Sequence, residues 1–287
     1  MAKTQGFIMR RRNKISMAVP SSMVSEIGHL REKTIVLGQL GRAAGVYRVD
    51  EIIIYRDKQD ESLLMKYVLG YLETPQYLRK HLFEYREELQ FAGMLPPLRT
   101  PHHTTSYTLD EIKEGEYRDG VVIKHTDDGY LVDIGISAPL GIRGKAPQLG
   151  ARITTQVMEM GALPRGRQVK KARLDEYWGY ELRGSKGRLS DLVHSPEWDL
   201  TIATSKLGEN FVDVAEEIED RWEKAYKTLI VFGSYKEGVG KIMERQGRRM
   251  EEAFDFIVNT VPNQGTATVR TEEAVQATLA LLNMFKD

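Results

Sequence analysis

The sequence predicts an α/β protein: a parallel sheet with helices on both faces, interrupted by a small antiparallel barrel. Three observations carry this. Strand-like and helix-like runs alternate through the first 95 or so residues, as in a parallel sheet. A proline-rich break, "MLPPLRTPHHTTSYTLDE", ends that alternation. Short strand-like pieces separated by glycine turns follow, and then the alternation resumes.

The elements follow in order. "KISMAVP" (Lys14–Pro20) reads as a first strand. "SSMVSEIGHLREKTIVLGQLGRAAGV" reads as a helix, with Ser21 or Ser22 as its N-cap. "DEIIIY" is a β-branched buried strand. The next stretch has helical spacing, and Pro75 opens its second helix, where a missing N–H costs little. "GEYRDGVVIKHT", "GYLVDIG", "APLGIRG", "ARITTQVMEMG" and "RQVKKARLD" are the barrel strands. Afterwards "EYWGYEL", "DLTIATS", "KTLIVFG" and "FDFIVNTV" read as strands. "RLSDLVH", "GENFVDVAEEIEDRWEKA", "GVGKIMERQGRRMEEA" and "TEEAVQATLALLNMF" read as helices. The simplest organisation is one sheet domain in two parts, residues 1–99 and 175–287, split by a barrel over 100–174. Three consecutive domains would leave each α/β part too few strands to cover both sheet faces.

Composition excludes several functions. Hydrophobic residues make up 41% and charged residues 29%, which fits a globular chain. There is no cysteine, so disulfides, thiolate metal sites and thiol nucleophiles are ruled out, and a reducing cytoplasm is the compatible compartment. The six histidines are scattered, and the His102–His103 pair lacks the i, i+4 spacing of a helical zinc site, so no metal is expected. No run approaches the ~18 apolar residues of a membrane span. Net charge is zero, but its distribution is uneven. Lys3, Arg10, Arg11, Arg12 and Lys14 precede the first acid, Glu26. Between Arg143 and Arg173 eight basic residues face one acid, Glu159. Arg10, Arg11, Arg12, Arg143, Lys145, Arg165, Arg167, Lys170 and Lys171 are therefore candidates to meet RNA phosphates, against the plain alternative of a solvated surface.

Ligands of an open parallel sheet bind beyond the carboxyl ends of its strands. Three such ends are small and polar: "ATSKLGEN", "FGSYKEGVG" and "NTVPNQGTATVRTEEA". Glycine there permits close backbone approach, while Ser, Thr and free loop amides offer hydrogen bonds. They are also ordinary turn residues, but three such loops in succession point to a small-molecule site. No P-loop occurs, and no GxGxxG opens a helix after the first strand, which disfavours hydride transfer.

At this point the chain resembles SPOUT-class, α/β-knot RNA methyltransferases, more narrowly the archaeal and eukaryotic group with an OB-like insertion. The resemblance spans nearly the whole chain and rests most on "GQLGRAAGVYRVDEIIIY", "PQYLRKHLF", "LPPLRTPHH", "DLTIATS", "VFGSYKEG" and "VNTVPNQGTATVRTEEA". It implies S-adenosyl-L-methionine (SAM) as methyl donor, a trefoil knot near the C-terminus and a homodimer. Arg42, Ala44, Tyr47 and Val49 match a spacing whose Arg is catalytic in ribose-methylating relatives, so Arg42 is the catalytic candidate. Gly233 and Gly238 match the second motif; Pro262 and Gly265 match the third. Thr204, Ser205, Asn259, Thr266 and Thr268 complete the expected cofactor set, and Thr271 is a candidate N-cap of the last helix. The third motif usually continues with Ser and Asn, whereas here it continues "TATVRTEEA", which leaves base and ribose methylation both open. The competing expectation is a non-catalytic RNA-binding or assembly protein with a vestigial SAM pocket; an intact pocket separates the two.

Overall fold

The computed structural model describes residues 9–185 and 187–286; Lys3 lies outside the described residues. The chain forms two compact units. One comprises residues 11–72, 88–96 and 179–287, the other 1–10, 73–87 and 97–178.

The sheet unit starts with β1 (Lys14–Pro20), buried from Ile15 onward. Helix α1 (Leu30–Val46) follows and buries Leu37, Leu40, Ala43 and Ala44. Next come β2 (Glu51–Tyr55) and α2 (Ser62–Glu73), and then α3 (Gln76–Leu82) of the other unit.

The barrel unit contains β3 (Tyr117–Thr126), β4 (Gly129–Asp133), β5 (Leu140–Arg143), β6 (Arg152–Glu159) and β7 (Arg165–Val169). These close in the order β3-β4-β5-β7-β6. All neighbours are antiparallel except β5 and β7, which pair in parallel. Alternate residues point inward, so Val122, Tyr130, Val132, Leu140, Ile142, Ile153 and Val157 fill the barrel.

The chain then returns to the sheet unit with β8 (Glu181–Gly184) and the short α4 (Leu189–Val193). After them come β9 (Leu200–Asn210), α5 (Phe211–Lys224), β10 (Lys227–Val231), α6 (Val239–Arg245), β11 (Phe256–Asn259) and α7 (Thr271–Leu282). The sheet order is β11-β9-β10-β1-β2-β8, and every pairing is parallel. All its carboxyl ends therefore lie on one side.

Several boundaries differ from the sequence reading. Helix α1 begins at Leu30, not near Ser22, because residues 21–26 form tight turns after Pro20. Ser21 and Ser22 do not cap it; their hydroxyls donate to the Gln59 carbonyl at 2.9 Å and to Asp57 Oδ2 at 2.5 Å. "EYWGYEL" is extended only over β8, since Tyr177, Trp178 and Tyr180 bury their rings instead of joining the sheet. Strand β7 stops at Val169, and Lys171–Arg173 make a single 3-10 turn. Strand β9 runs on to Asn210, whose side chain caps α5 by accepting the Val212 N–H.

Candidate functional site

The second half of β9 and the loops that leave β10 and β11 meet in a cleft of about 520 Å³. Tyr55 fixes one entry to it, donating its buried hydroxyl to the Phe232 carbonyl at 2.7 Å. Beyond Phe232 the chain turns sharply: Ser234 N–H donates to the Glu237 carbonyl at 2.9 Å, and Glu237 N–H donates to Ser234 Oγ at 3.1 Å. Gly233 is required by this turn. A Cβ there would meet Gly238 Cα at 2.8 Å, the Glu237 carbonyl oxygen at 2.9 Å and Val239 N at 2.9 Å, all backbone atoms.

The loop after β11 crosses back over the others. Asn259 Nδ2 donates to the Lys206 carbonyl at 2.9 Å, and Lys206 Nζ donates to the Ala267 carbonyl at 3.3 Å. Thr271 Oγ1 donates to the Gly233 carbonyl at 2.9 Å. The strand and the two loops thus brace one another by hydrogen bonds among the residues that shape the cleft.

Of the expected cofactor residues, the cleft brings together Thr204, Ser205, Gly233, Gly238, Asn259 and Thr268. Pro262, Gly265 and Thr266 stand in the same loop but outside the lining, exposed to solvent. Thr266 Oγ1 donates to the Thr268 carbonyl at 3.0 Å, and a Cβ on Gly265 would meet nothing within 4 Å. Thr271 is the first helical residue of α7, not its cap; Arg270 holds the cap position, where Glu273 accepts the Arg270 N–H at 2.8 Å. The sequence reading missed Phe232, Val258, Val261 and Val269, which line the cleft. As apolar residues at strand ends they carry no signal that separates them from core.

Arg42 is not among the lining residues. β1 and β2 are parallel, so α1 between them runs back from the carboxyl ends. Arg42 lies about 18 Å along that helix from Leu30, at the opposite end of the sheet from the cleft.

A nucleoside-sized ligand fits this cleft. Its volume falls in the ordinary range of small-molecule sites, and its walls mix apolar side chains with a few polar groups. Three lysines, Lys206, Lys236 and Lys241, line it and could meet a ligand carboxylate. Among the described residues no group of three or more His, Asp or Glu could hold a metal, and no helix is long and apolar enough to cross a membrane.

The basic candidates separate into two kinds. On the barrel, Leu140 and Ile142 point inward, so Gly141 and Arg143 point out. Gly141 pairs with Arg165 and Ile142 with Gly166, so Arg165 lies on the outward side with Gly141, and Arg143 and Arg167 each follow two residues along the same side of their strand. Arg143, Arg165 and Arg167 therefore share one outer face, near exposed Lys145 and Lys170. Lys171 is half-buried and adds positive charge beside Glu73. Near the N-terminus, Arg11 does not face solvent: it is 4% exposed and donates to Asn283 Oδ1. Arg12 stacks on the Tyr226 ring at 4.7 Å, and the Arg10 backbone N–H donates to the Asp175 carbonyl at 2.7 Å.

Comparison with known proteins places the chain in a family. Residues 14–282 match the sequence profile described as "Putative RNA methyltransferase". A Halobacterium salinarum protein, described only as uncharacterized, is 33% identical, covering 94% of this chain and 98% of its own length. A human "28S rRNA (uridine-N(3))-methyltransferase" is 30% identical over 93% of this chain and 77% of its own length. The Drosophila melanogaster protein of the same name is 29% identical over 93% of this chain, which spans 61% of the fly protein. By the match over residues 14–282, the chain belongs to the family of putative RNA methyltransferases.

Proposed function

We propose that this protein is a SAM-dependent RNA methyltransferase that modifies N3 of a uridine in large-subunit ribosomal RNA. The observation that carries the reading is the braced, small-residue cleft at the carboxyl ends of β9, β10 and β11, in a chain of this family. The fly and human relatives named for uridine-N3 methylation favour the base over the ribose.

When bound, SAM supplies an activated methyl group on a sulfonium. The chain's own task is to hold donor and acceptor in line and to take the acceptor's proton. Val261 and Val269 offer an apolar bed for an adenine ring, and the ammonium groups of Lys206, Lys236 and Lys241 are the cations available to a ligand carboxylate. The tight Ser234–Glu237 turn sets the backbone there.

The rest of the reading extends beyond the cleft. The barrel order β3-β4-β5-β7-β6, with its one parallel pair, supports an OB-type RNA-binding module. A trefoil threading is supported by the path after β11: β11 is at the sheet edge, yet α7 packs on α1, so the chain must recross β9 and β10. A role for Arg42 in catalysis requires the second copy of the expected homodimer to bring it to the cleft.

The test is calorimetric titration with S-adenosylhomocysteine, followed by mapping of methylated nucleotides in large-subunit rRNA. Saturable binding and a 3-methyluridine product are expected. Absence of both would leave the alternative, an RNA-binding or assembly protein without catalysis.

A further inference from the structure

Among the described residues, four Tyr, Phe or Trp side chains are exposed: Tyr85, Tyr107, Tyr226 and Tyr235. Tyr85 and Tyr107 belong to the barrel unit, and the Arg12 guanidinium covers Tyr226. Of the four, Tyr235 lines the cleft at the carboxyl ends of the sheet. It is 50% exposed, and no hydrogen bond, ion pair or ring contact ties its side chain to another described residue.

One exposed ring is ordinary on a protein surface. What sets Tyr235 apart is the backbone beneath it, which is held from several sides. Ser234 N–H and Oγ both donate to the Glu237 carbonyl, at 2.9 and 3.3 Å, and the Glu237 N–H returns to Ser234 Oγ at 3.1 Å. Glu237 is clamped in turn: Lys58 Nζ donates to Oε1, and Arg245 Nη1 lies 3.4 Å from Oε2. Asp57 fixes Arg245, accepting from its Nη2 at 2.5 Å and from Ser22 Oγ at 2.5 Å. On the other flank, Lys236 Nζ meets Glu26 Oε2 at 2.8 Å. Glu26, Asp57 and Glu237 line a second recess of about 280 Å³, and Ser234, Tyr235 and Lys236 form the wall between it and the cleft. All three carboxylates are paired with cations, so the recess is a brace for the turn.

We propose that Tyr235 stacks on the uracil ring of the target nucleotide at the mouth of the cofactor cleft. The inference rests on the function proposed above and names the residue that grips the acceptor. Uridine N3 lies on the pairing edge of its base, so the base must leave its stack before a donor reaches it. A grip on the face of the ring leaves that edge free, whereas hydrogen bonds to the edge would cover it. A tyrosine on a fixed turn at the cleft rim supplies such a grip and loses little backbone freedom on binding. The adenine of the cofactor has its own apolar bed in Val261 and Val269, from the loop after β11.

The test compares wild type with Tyr235→Leu and Tyr235→Phe, at a position exposed enough that neither change should disturb folding. With S-adenosylhomocysteine bound, wild type should bind uridine 5′-monophosphate about tenfold more tightly than 5,6-dihydrouridine 5′-monophosphate. The dihydro ring keeps N3–H and both carbonyls but is puckered and stacks poorly. Tyr235→Leu should lose that preference. Tyr235→Phe should keep it, since the hydroxyl has no partner to lose. In methyl transfer to large-subunit rRNA, kcat/KM should fall about tenfold in Tyr235→Leu, the scale of one base–aromatic stack, and stay within about twofold of wild type in Tyr235→Phe. S-adenosylhomocysteine affinity should stay within about twofold in both, because the stack is made to the acceptor and not to the cofactor. A Tyr235→Leu protein that keeps either the preference or the rate overturns this inference and leaves the methyltransferase reading standing. So does a tenfold loss of S-adenosylhomocysteine affinity in Tyr235→Leu, which would put the ring against the cofactor. A wild type that binds no S-adenosylhomocysteine overturns both.

Discussion

Glu73 is a carboxylate at 7% exposure, held by one arginine. Arg152 Nη1 meets Glu73 Oε2 at 2.6 Å, and Nη2 meets Asp119 Oδ2 at 2.5 Å. Asp119 Oδ1 in turn accepts from Thr154 Oγ1 and from Trp178 Nε1, each at 2.8 Å. Burial would raise the Glu73 pKa; the charges of Arg152 and His102 override it and hold the carboxyl far below its ordinary value. Arg152 belongs to the sequence's basic run, but it is committed to this network and not to phosphate. Replacing it with Leu strands the Glu73 charge, so Arg152→Leu should destabilise the protein by about 3–5 kcal/mol in urea unfolding. A loss below 1 kcal/mol would mean that Glu73 is protonated or hydrated instead. At the cleft, two glycines of the sequence reading also part company. Gly233→Ala places a Cβ under 3 Å from three backbone atoms and should lower S-adenosylhomocysteine affinity at least ~10-fold. Gly265→Ala meets open space and should leave it within about twofold, and the same titration reads both. Both glycines were legible as loop residues; only packing distinguishes the one with no room.

The connector between α2 and α3 is held by a pair of histidines. His102 Nε2 donates to the Glu73 carbonyl at 2.9 Å and His103 Nε2 donates to the same oxygen at 2.7 Å. Burial first, and the neighbouring His102 second, push His103 down to about 4. The sign follows directly. A histidine with a lowered folded pKa is protonated more readily in the unfolded chain, so its contribution is complete above pH 6.5 and is lost as pH falls toward 4. Glu73, also depressed, adds a loss as pH falls further, below 4.5. Urea unfolding from pH 7 to 4 should therefore show falling stability in wild type and a flatter profile in His103→Gln. Parallel profiles would remove His103 as the cause. The sequence showed this histidine pair only as a failed zinc motif, because its partner lies 29 and 30 residues away. Elements marked by local chemistry were readable: glycine turns gave the barrel strands, and the β-branched run "DEIIIY" gave β2. Sheet order and the closure of β5 on β7 depend on pairings that no periodicity records.

At the scale of the chain, zero net charge conceals an uneven distribution of basic residues. The cleft residues all fall in the sheet unit, whereas Arg143, Arg165 and Arg167 all fall in the barrel unit. Register places those three arginines on neighbouring strands of one face. Arg143 is 76% exposed in its side chain, with only a loose ion pair to Asp128 at 3.6 Å, so little is given up when a phosphate replaces that partner. Arg167 is lightly tethered, donating to Gln156 Oε1 at 2.8 and 3.0 Å. Each arginine that neutralises an RNA phosphate releases condensed counterions, about 0.7 per contact for a single strand. Replacing all three with Ala should then weaken RNA binding and flatten the plot of log affinity against log salt by about 2. The side chains face outward from the barrel, so its stability should change by less than about 1 kcal/mol. S-adenosylhomocysteine affinity should not move, because no lining residue is altered. An unchanged salt slope with intact RNA binding would shift the grip away from this face, to Lys145 and Lys170 or to Arg12, whose guanidinium rests on Tyr226.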